Sequence, residues 1–132
     1  MKRKIAAPSH HSLACGLLED GNRALFLCRK NADGIETVEL PCVLLKKGEN
    51  PVASLASEFA RQTGIDAEAH EIMFEGKHNA GSRKKKMLVP ALAFRMTAKN
   101  ASCKPSTEFS GYRWLAREGL RGFRLAKSCW WL

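Results

Sequence analysis

The 132-residue sequence has no run of eighteen apolar residues, so a membrane-spanning helix is excluded and no membrane partner is expected. Met1-Lys2-Arg3-Lys4 is followed by Ile5 to His11 without a long apolar core, so a secretory signal is not expected either. Cysteine is sparse. The five thiols (Cys15, Cys28, Cys42, Cys103, Cys129) are odd in number, widely spaced and never arranged as C-x-x-C. That pattern suggests neither a disulfide framework nor a zinc knuckle, and the expectation is reduced thiols in a cytoplasmic protein. Repeats, low-complexity tracts and long Pro/Gly linkers are also missing. One domain over residues 12–132, preceded by a loose arm over 1–11, is therefore expected.

Acidic residues are scarce where basic ones gather. Residues 1–82 carry 10 basic and 11 acidic side chains, whereas residues 83–132 carry 12 basic and 2 acidic ones, so the net charge of +9 resides in the last 50 positions. Such a field attracts phosphate-bearing partners, nucleotide or nucleic acid, although a solvated surface accounts for it equally well.

Turn residues Asp20-Gly21-Asn22 separate the apolar runs Ser12 to Leu18 and Arg23 to Arg29, which predicts a hairpin. Asn31-Ala32-Asp33-Gly34 then leads into a third strand over residues 35–40. The plainest helix opens at Asn50 as N-cap with Pro51 in the first helical position, and closes at Gly64. Val52, Leu55, Ala56 and Phe59 recur at helical spacing and predict one buried stripe, with Ser54, Ser57, Glu58 and Arg61 opposite. Residues 71–74 and 87–96 read as strands joined by the basic loop Asn79 to Lys86. The second is nearly continuously apolar, which predicts burial on both faces, with a bulge or edge at Pro90. A strand over 109–114, a short helix over 115–119 and an irregular tail complete an α/β (α+β) layered domain.

The segment from Val43 to Ile65 resembles the Nudix box, G-x5-E-x7-R-E-U-x-E-E-x-G-U with U aliphatic or aromatic, and the spacing matches without a gap. Glu49, Glu58, Phe59, Gly64 and Ile65 occupy box positions in kind. Glu108 to Leu115 is similar to the strand-to-helix segment that follows in such domains, so the resemblance spans roughly residues 12–120. It implies a Nudix fold, a mixed sheet sandwiched between α-helices, with Glu58 as a metal-binding glutamate. It also implies pyrophosphatase-class hydrolysis of nucleoside diphosphate derivatives with Mg²⁺ or Mn²⁺.

The box is altered where its chemistry lies. Val43 replaces the leading glycine, Ser57 the arginine, and Arg61 and Gln62 the adjacent glutamates. A hard divalent ion needs several carboxylate oxygens, and one helix carboxylate does not supply them. Arg61, three residues after Glu58, is expected to pair with it and replace the metal as the local positive charge. The degenerate-box reading therefore expects a non-hydrolysing nucleotide or phosphorylated small-molecule binder without a cofactor, using Ser57, Arg61, Gln62, Arg83, Lys84 and Lys85. An active enzyme would instead recruit Mg²⁺ or Mn²⁺ through Glu58, with Glu49 and Glu108 completing the catalytic set. In a third reading the basic C-terminal half binds nucleic acid. Each residue also has an ordinary role: Glu49 as a helix-start carboxylate, Glu58–Arg61 as a surface ion pair, Arg83 to Lys86 as a solvated hairpin tip. The tryptophans are expected in the core. Oligomeric state and ligand identity stay open.

Overall fold

The computed structural model describes residues 12–132; the N-terminal arm expected over 1–11 lies outside the described residues. Seven strands and one α-helix follow in the order β1 (Ser12–Asp20), β2 (Arg23–Lys30), β3 (Glu36–Glu39), β4 (Cys42–Leu45), α1 (Pro51–Thr63), β5 (Ala67–Asn79), β6 (Leu88–Ala98) and β7 (Gly111–Ala116). Two 3₁₀ turns, Arg117–Gly122 and Lys127–Cys129, close the chain.

The sheet is mixed. β1 runs parallel to β6 and antiparallel to β4, while β2 pairs antiparallel with β3 and β7. Along the main path the order is β3-β2-β1-β6-β5. Alternation in β1 and β2 sends Ala14, Leu18, Leu25 and Leu27 to one face and Leu13, Cys15, Ala24, Phe26 and Cys28 to the other. Two cores result, one on each side.

Helix α1 covers the first face. Its N-cap Asn50 accepts backbone N–H bonds from Val52 and Ala53 through Oδ1, and Gly64 ends it at φ 72° with its own N–H bonded to Ala60 O. The buried positions are Leu55, Phe59, Gln62 and Thr63. Val52, expected in the stripe, is 41% exposed in the first turn. Buried Thr63 is satisfied locally: its hydroxyl donates to Phe59 O and accepts from Ile65 N. Contact with the sheet is intimate, because a Cβ placed on Gly16 of β1 would stand 2.7 Å from Phe59 Cδ2.

Among the described residues, the other face is covered without an α-helix. Leu120, Phe123, Leu125, Cys129 and Trp131 pack there, from the 3₁₀ turns and the tail. The α/β class with a mixed sheet is as expected, whereas the second covering layer is built of 3₁₀ turns and the short helix expected over 115–119 is instead the end of β7 followed by the 3₁₀ turn Arg117–Gly122; Gly119 and Gly122 disfavour α-helix. Tail and sheet are stitched by Val38 N–H to Arg124 O and Ala126 N–H to Val38 O.

Several strand bounds differ from those expected. β4 is a strand the sequence reading did not separate, and β5 is far longer than residues 71–74. The irregularities fall in β5, between Ala69 and Phe74, rather than at Pro90. Pro90 pairs with Lys77 of β5 but precedes the β1 ladder, which begins at Ala91, so the ladder loses no donor there. β6 is buried on both faces only in its middle, at Ala93 and Phe94, and alternates toward its ends, with Val89 and Met96 buried and Leu88 63% exposed.

Reduced thiols are corrected at one pair. Cys15 and Cys42 are direct partners across β1 and β4, with Cα atoms 4.1 Å apart, and form a disulfide. Their separation of 27 residues gives no hint of this until β4 folds back on β1. Cys28, Cys103 and Cys129 are free and buried. Among the described residues no helix is long and apolar enough to cross a membrane.

Candidate functional site

The outward side of α1 carries Ser57, Glu58 and Arg61, and the loop before β7 brings Glu108 to them. Arg61 lies between the two acids. Its Nε and Nη2 donate to the Glu58 carboxylate at 2.8 and 2.8 Å, and its Nη1 and Nη2 donate to Glu108 at 3.2 and 3.0 Å. Both contacts are bidentate, the geometry in which a guanidinium matches a carboxylate best. Ser106 Oγ donates to Glu108 Oε1 at 2.5 Å and fixes the outer acid.

The electrostatic consequences agree in direction. Hydrogen bonds from Arg61, then from Gln62, hold Glu58 below its ordinary range against the opposing effect of burial. Arg61 and Ser106 push Glu108 down to about 2. The two carboxylates raise the Arg61 pKa in turn. All three groups are therefore charged at neutral pH, and together they sum to one negative charge.

Gln62 closes the inner side. Its Nε2 donates to Cys42 O and to Glu58 Oε2, both at 2.9 Å. An amide can do this; a carboxylate would meet the Cys42 carbonyl acceptor to acceptor. Gln62 Oε1 is buried with no protein partner. Beside the cluster, Arg29 donates to Glu39 at 2.7 Å and its guanidinium lies 4.6 Å from the Phe109 ring centroid. The sequence reading missed this pair. Register explains it: Glu39 faces Leu27, so Arg29, two positions along β2, is its diagonal neighbour.

Other expected site residues are elsewhere engaged. Glu49 precedes the N-cap, and its carboxylate accepts from Lys46 N at 2.6 Å, so it closes the loop before α1 and has no bond to Glu58. Ser57 is exposed on the helix. Arg83, Lys84 and Lys85 are exposed at the β5–β6 tip and form no ion pair among the described residues.

The chain is structurally similar to the MutT protein from Methanosarcina mazei Go1, with a TM-score of 0.70 and 21% identity over 92% of this chain and 88% of that one. It is also similar to an ADP-ribose pyrophosphatase from Streptococcus suis (TM-score 0.64, 13% identity, 89% and 80% covered). The chain has the Nudix fold. A third likeness is the NUDIX domain of Shewanella oneidensis NrtR complexed with ADP ribose, at TM-score 0.60 and 13% identity, covering 91% and 81%. No family model matches the sequence, and no curated protein does.

Placed on this fold, the Glu58–Arg61–Glu108 cluster does not fit a divalent cation. Two carboxylates are present, but a guanidinium already takes both oxygens of each. Among the described residues no three of His, Cys, Asp and Glu gather as a metal site. A metal entering between Glu58 and Glu108 would have to expel Arg61 and face its charge.

Proposed function

We propose that this Nudix-fold protein holds a nucleotide or other phosphorylated small molecule without metal-dependent hydrolysis. The observation that carries the reading is the guanidinium clamped between Glu58 and Glu108, in a box whose glutamate pair is replaced by Arg61 and Gln62. A built-in cation lets the two acids coexist, and it is the one group in the cluster that attracts phosphate. Glu108, whose side chain is 36% exposed on a loop, is the partner that a ligand phosphate displaces from Arg61. Such an exchange costs little, since exposed ion pairs contribute about 0–1 kcal/mol. The ADP ribose held by the NUDIX domain of NrtR makes that compound a reasonable first probe.

Thermal unfolding with ADP-ribose and nucleoside diphosphates, with and without Mn²⁺, tests this. Binding at 100 times Kd stabilises by about 2.7 kcal/mol, and the shift is expected to be the same in EDTA. Glu108→Gln frees the guanidinium and strengthens the shift, and Arg61→Ala abolishes it.

A second reading rests on Glu108. The structure brings this acid to Glu58, so displacing Arg61 outward would leave two carboxylates for Mg²⁺ or Mn²⁺ and hydrolysis. A shift that requires Mn²⁺, accompanied by release of a cleaved product, supports that reading and rejects the first.

A further inference from the structure

The tail and the β5–β6 loop form a second charged surface, separate from the Glu58–Arg61–Glu108 cluster on α1. Lys127 Nζ donates to Gly81 O at 2.6 Å, which ties the last 3₁₀ turn to the β5–β6 loop. That contact joins two acid-free segments. Residues 77–88 and 119–132 contain no Asp or Glu. Arg83, Lys84, Lys85, Lys86 and Lys127 are exposed, and none has a carboxylate partner among the described residues. Buried His78 registers the field: burial and the Lys127 charge both lower its pKa.

The tail that carries Lys127 also carries an exposed aromatic ring three residues further on. Trp130 is 69% exposed, although its Nε1 is satisfied by Leu125 O at 2.9 Å. Its neighbour Trp131 is the anchor, seated against Gly76 of β5, where a Cβ would come within 2.8 Å of the indole. The polar edge of Trp130 is thus fixed to the tail while most of the ring is open to solvent. An exposed, oriented ring on the same tail segment as Lys127, which is itself tied to the basic loop, suits a base and its phosphates.

We propose that this surface binds single-stranded nucleic acid, with the phosphate backbone tracking Arg83 to Lys86 and Lys127 and a base stacking on Trp130. A single strand is favoured over a duplex because no helix projects here to enter a groove, and a ring in plane with solvent needs an unpaired base. A lipid surface is disfavoured because, among the described residues, no amphipathic helix lies on this patch. This inference is independent of the Arg61 reading, since the tail and α1 pack on opposite faces of the sheet.

The test is fluorescence anisotropy of labelled twelve-nucleotide oligo-dT and oligo-U with the full chain across a KCl series. Single-strand contacts contribute about −0.7 each to the slope of log K against log salt, so five cations predict a slope near −3.5. Replacing Arg83, Lys84, Lys85 and Lys86 with Ala should flatten the slope to about −0.7. Trp130→Ala should weaken binding about ten-fold with the slope unchanged. Circular dichroism establishes that both variants fold; if the tip variant does not, single Lys84→Ala and Lys85→Ala changes, each reducing the slope by about 0.7, replace it. The proposal is overturned by absence of saturable binding at low salt, or by a tip variant that binds as well as the parent. Displacement of the oligonucleotide by excess ADP-ribose would place it at the Arg61 cluster, and preference for phosphatidylserine vesicles would reassign the surface to membranes; either result rejects the proposal.

Discussion

Arg61→Glu tests the cation-replacement argument most directly. In the parent, the guanidinium makes four hydrogen bonds to two carboxylates at 2.8–3.2 Å. Removing it forfeits two partly exposed ion pairs, worth together about 1 kcal/mol. The new glutamate adds a third negative charge. Like charges about 4 Å apart repel by roughly 4 kcal/mol at an effective dielectric of about 20, but Arg61 is half exposed, so solvent and side-chain movement reduce this to about 1–2 kcal/mol. A total loss of about 2–3 kcal/mol in EDTA is expected, a fall in melting temperature of roughly 8–12 °C for a domain of this size. Mn²⁺ should reverse most of it, because three carboxylates now converge and saturation at 100 times Kd returns about 2.7 kcal/mol. Scanning calorimetry of parent and variant, each with EDTA and with Mn²⁺, gives the four values needed. The reasoning is refuted if the parent shows a Mn²⁺-dependent rise that Glu58→Gln removes, or if the variant is unaffected by metal.

Acid unfolding gives a second prediction. Glu108 is pushed from 4.5 down to about 2 in the folded chain, and Glu58 is lowered as well. Depressed carboxylates bind fewer protons when folded, so their contribution is complete above about pH 4.5 and is lost as the pH falls toward about 2. Glu108→Gln should flatten the fall in stability within that window and leave the neutral-to-alkaline profile unchanged, as read by urea unfolding at stepped pH; an unchanged slope between pH 4.5 and 2 contradicts the clamp. Gly16→Ala probes the packing under the helix. The added methyl meets the Phe59 ring, and overpacking of this kind costs about 1–3 kcal/mol, measurable as a lower urea midpoint with the same m-value. A neutral effect would show that α1 is free to lift.

The helix and its register were legible because their signals are local. Asn50, Pro51 and Gly64 act on neighbouring backbone groups, and Leu55 and Phe59 differ in hydropathy from Glu58 and Arg61 on the opposite side. The first hairpin was legible for the same reason, through Asp20-Gly21-Asn22. What escaped was set by partners far along the chain. β4 is four residues that become a strand only by lying on β1, and that pairing also creates the Cys15–Cys42 link. The length of β5 was hidden by irregular pairing between Ala69 and Phe74, which breaks the alternation that marks a strand. In the site, Glu58 and Arg61 were legible as helix neighbours, and the family pattern pointed to Glu108. Its bond to Arg61 spans 47 positions, and the supporting Ser106 and the Arg29–Glu39 pair depend on register that composition does not encode.

At Gly16 the chain offers bare backbone, and the Phe59 ring settles onto it. The height of α1 above the sheet is therefore set by hydrocarbon on its inner side, while every charge it carries points away from that contact. Its outer rim is a writing surface at Ser57 and Arg61, which are exposed, while Gln62 is bound to the Cys42 carbonyl and belongs to the frame. On such a frame, a change of charge at Arg61 alters what the rim attracts while the Phe59–Gly16 contact beneath it stays put.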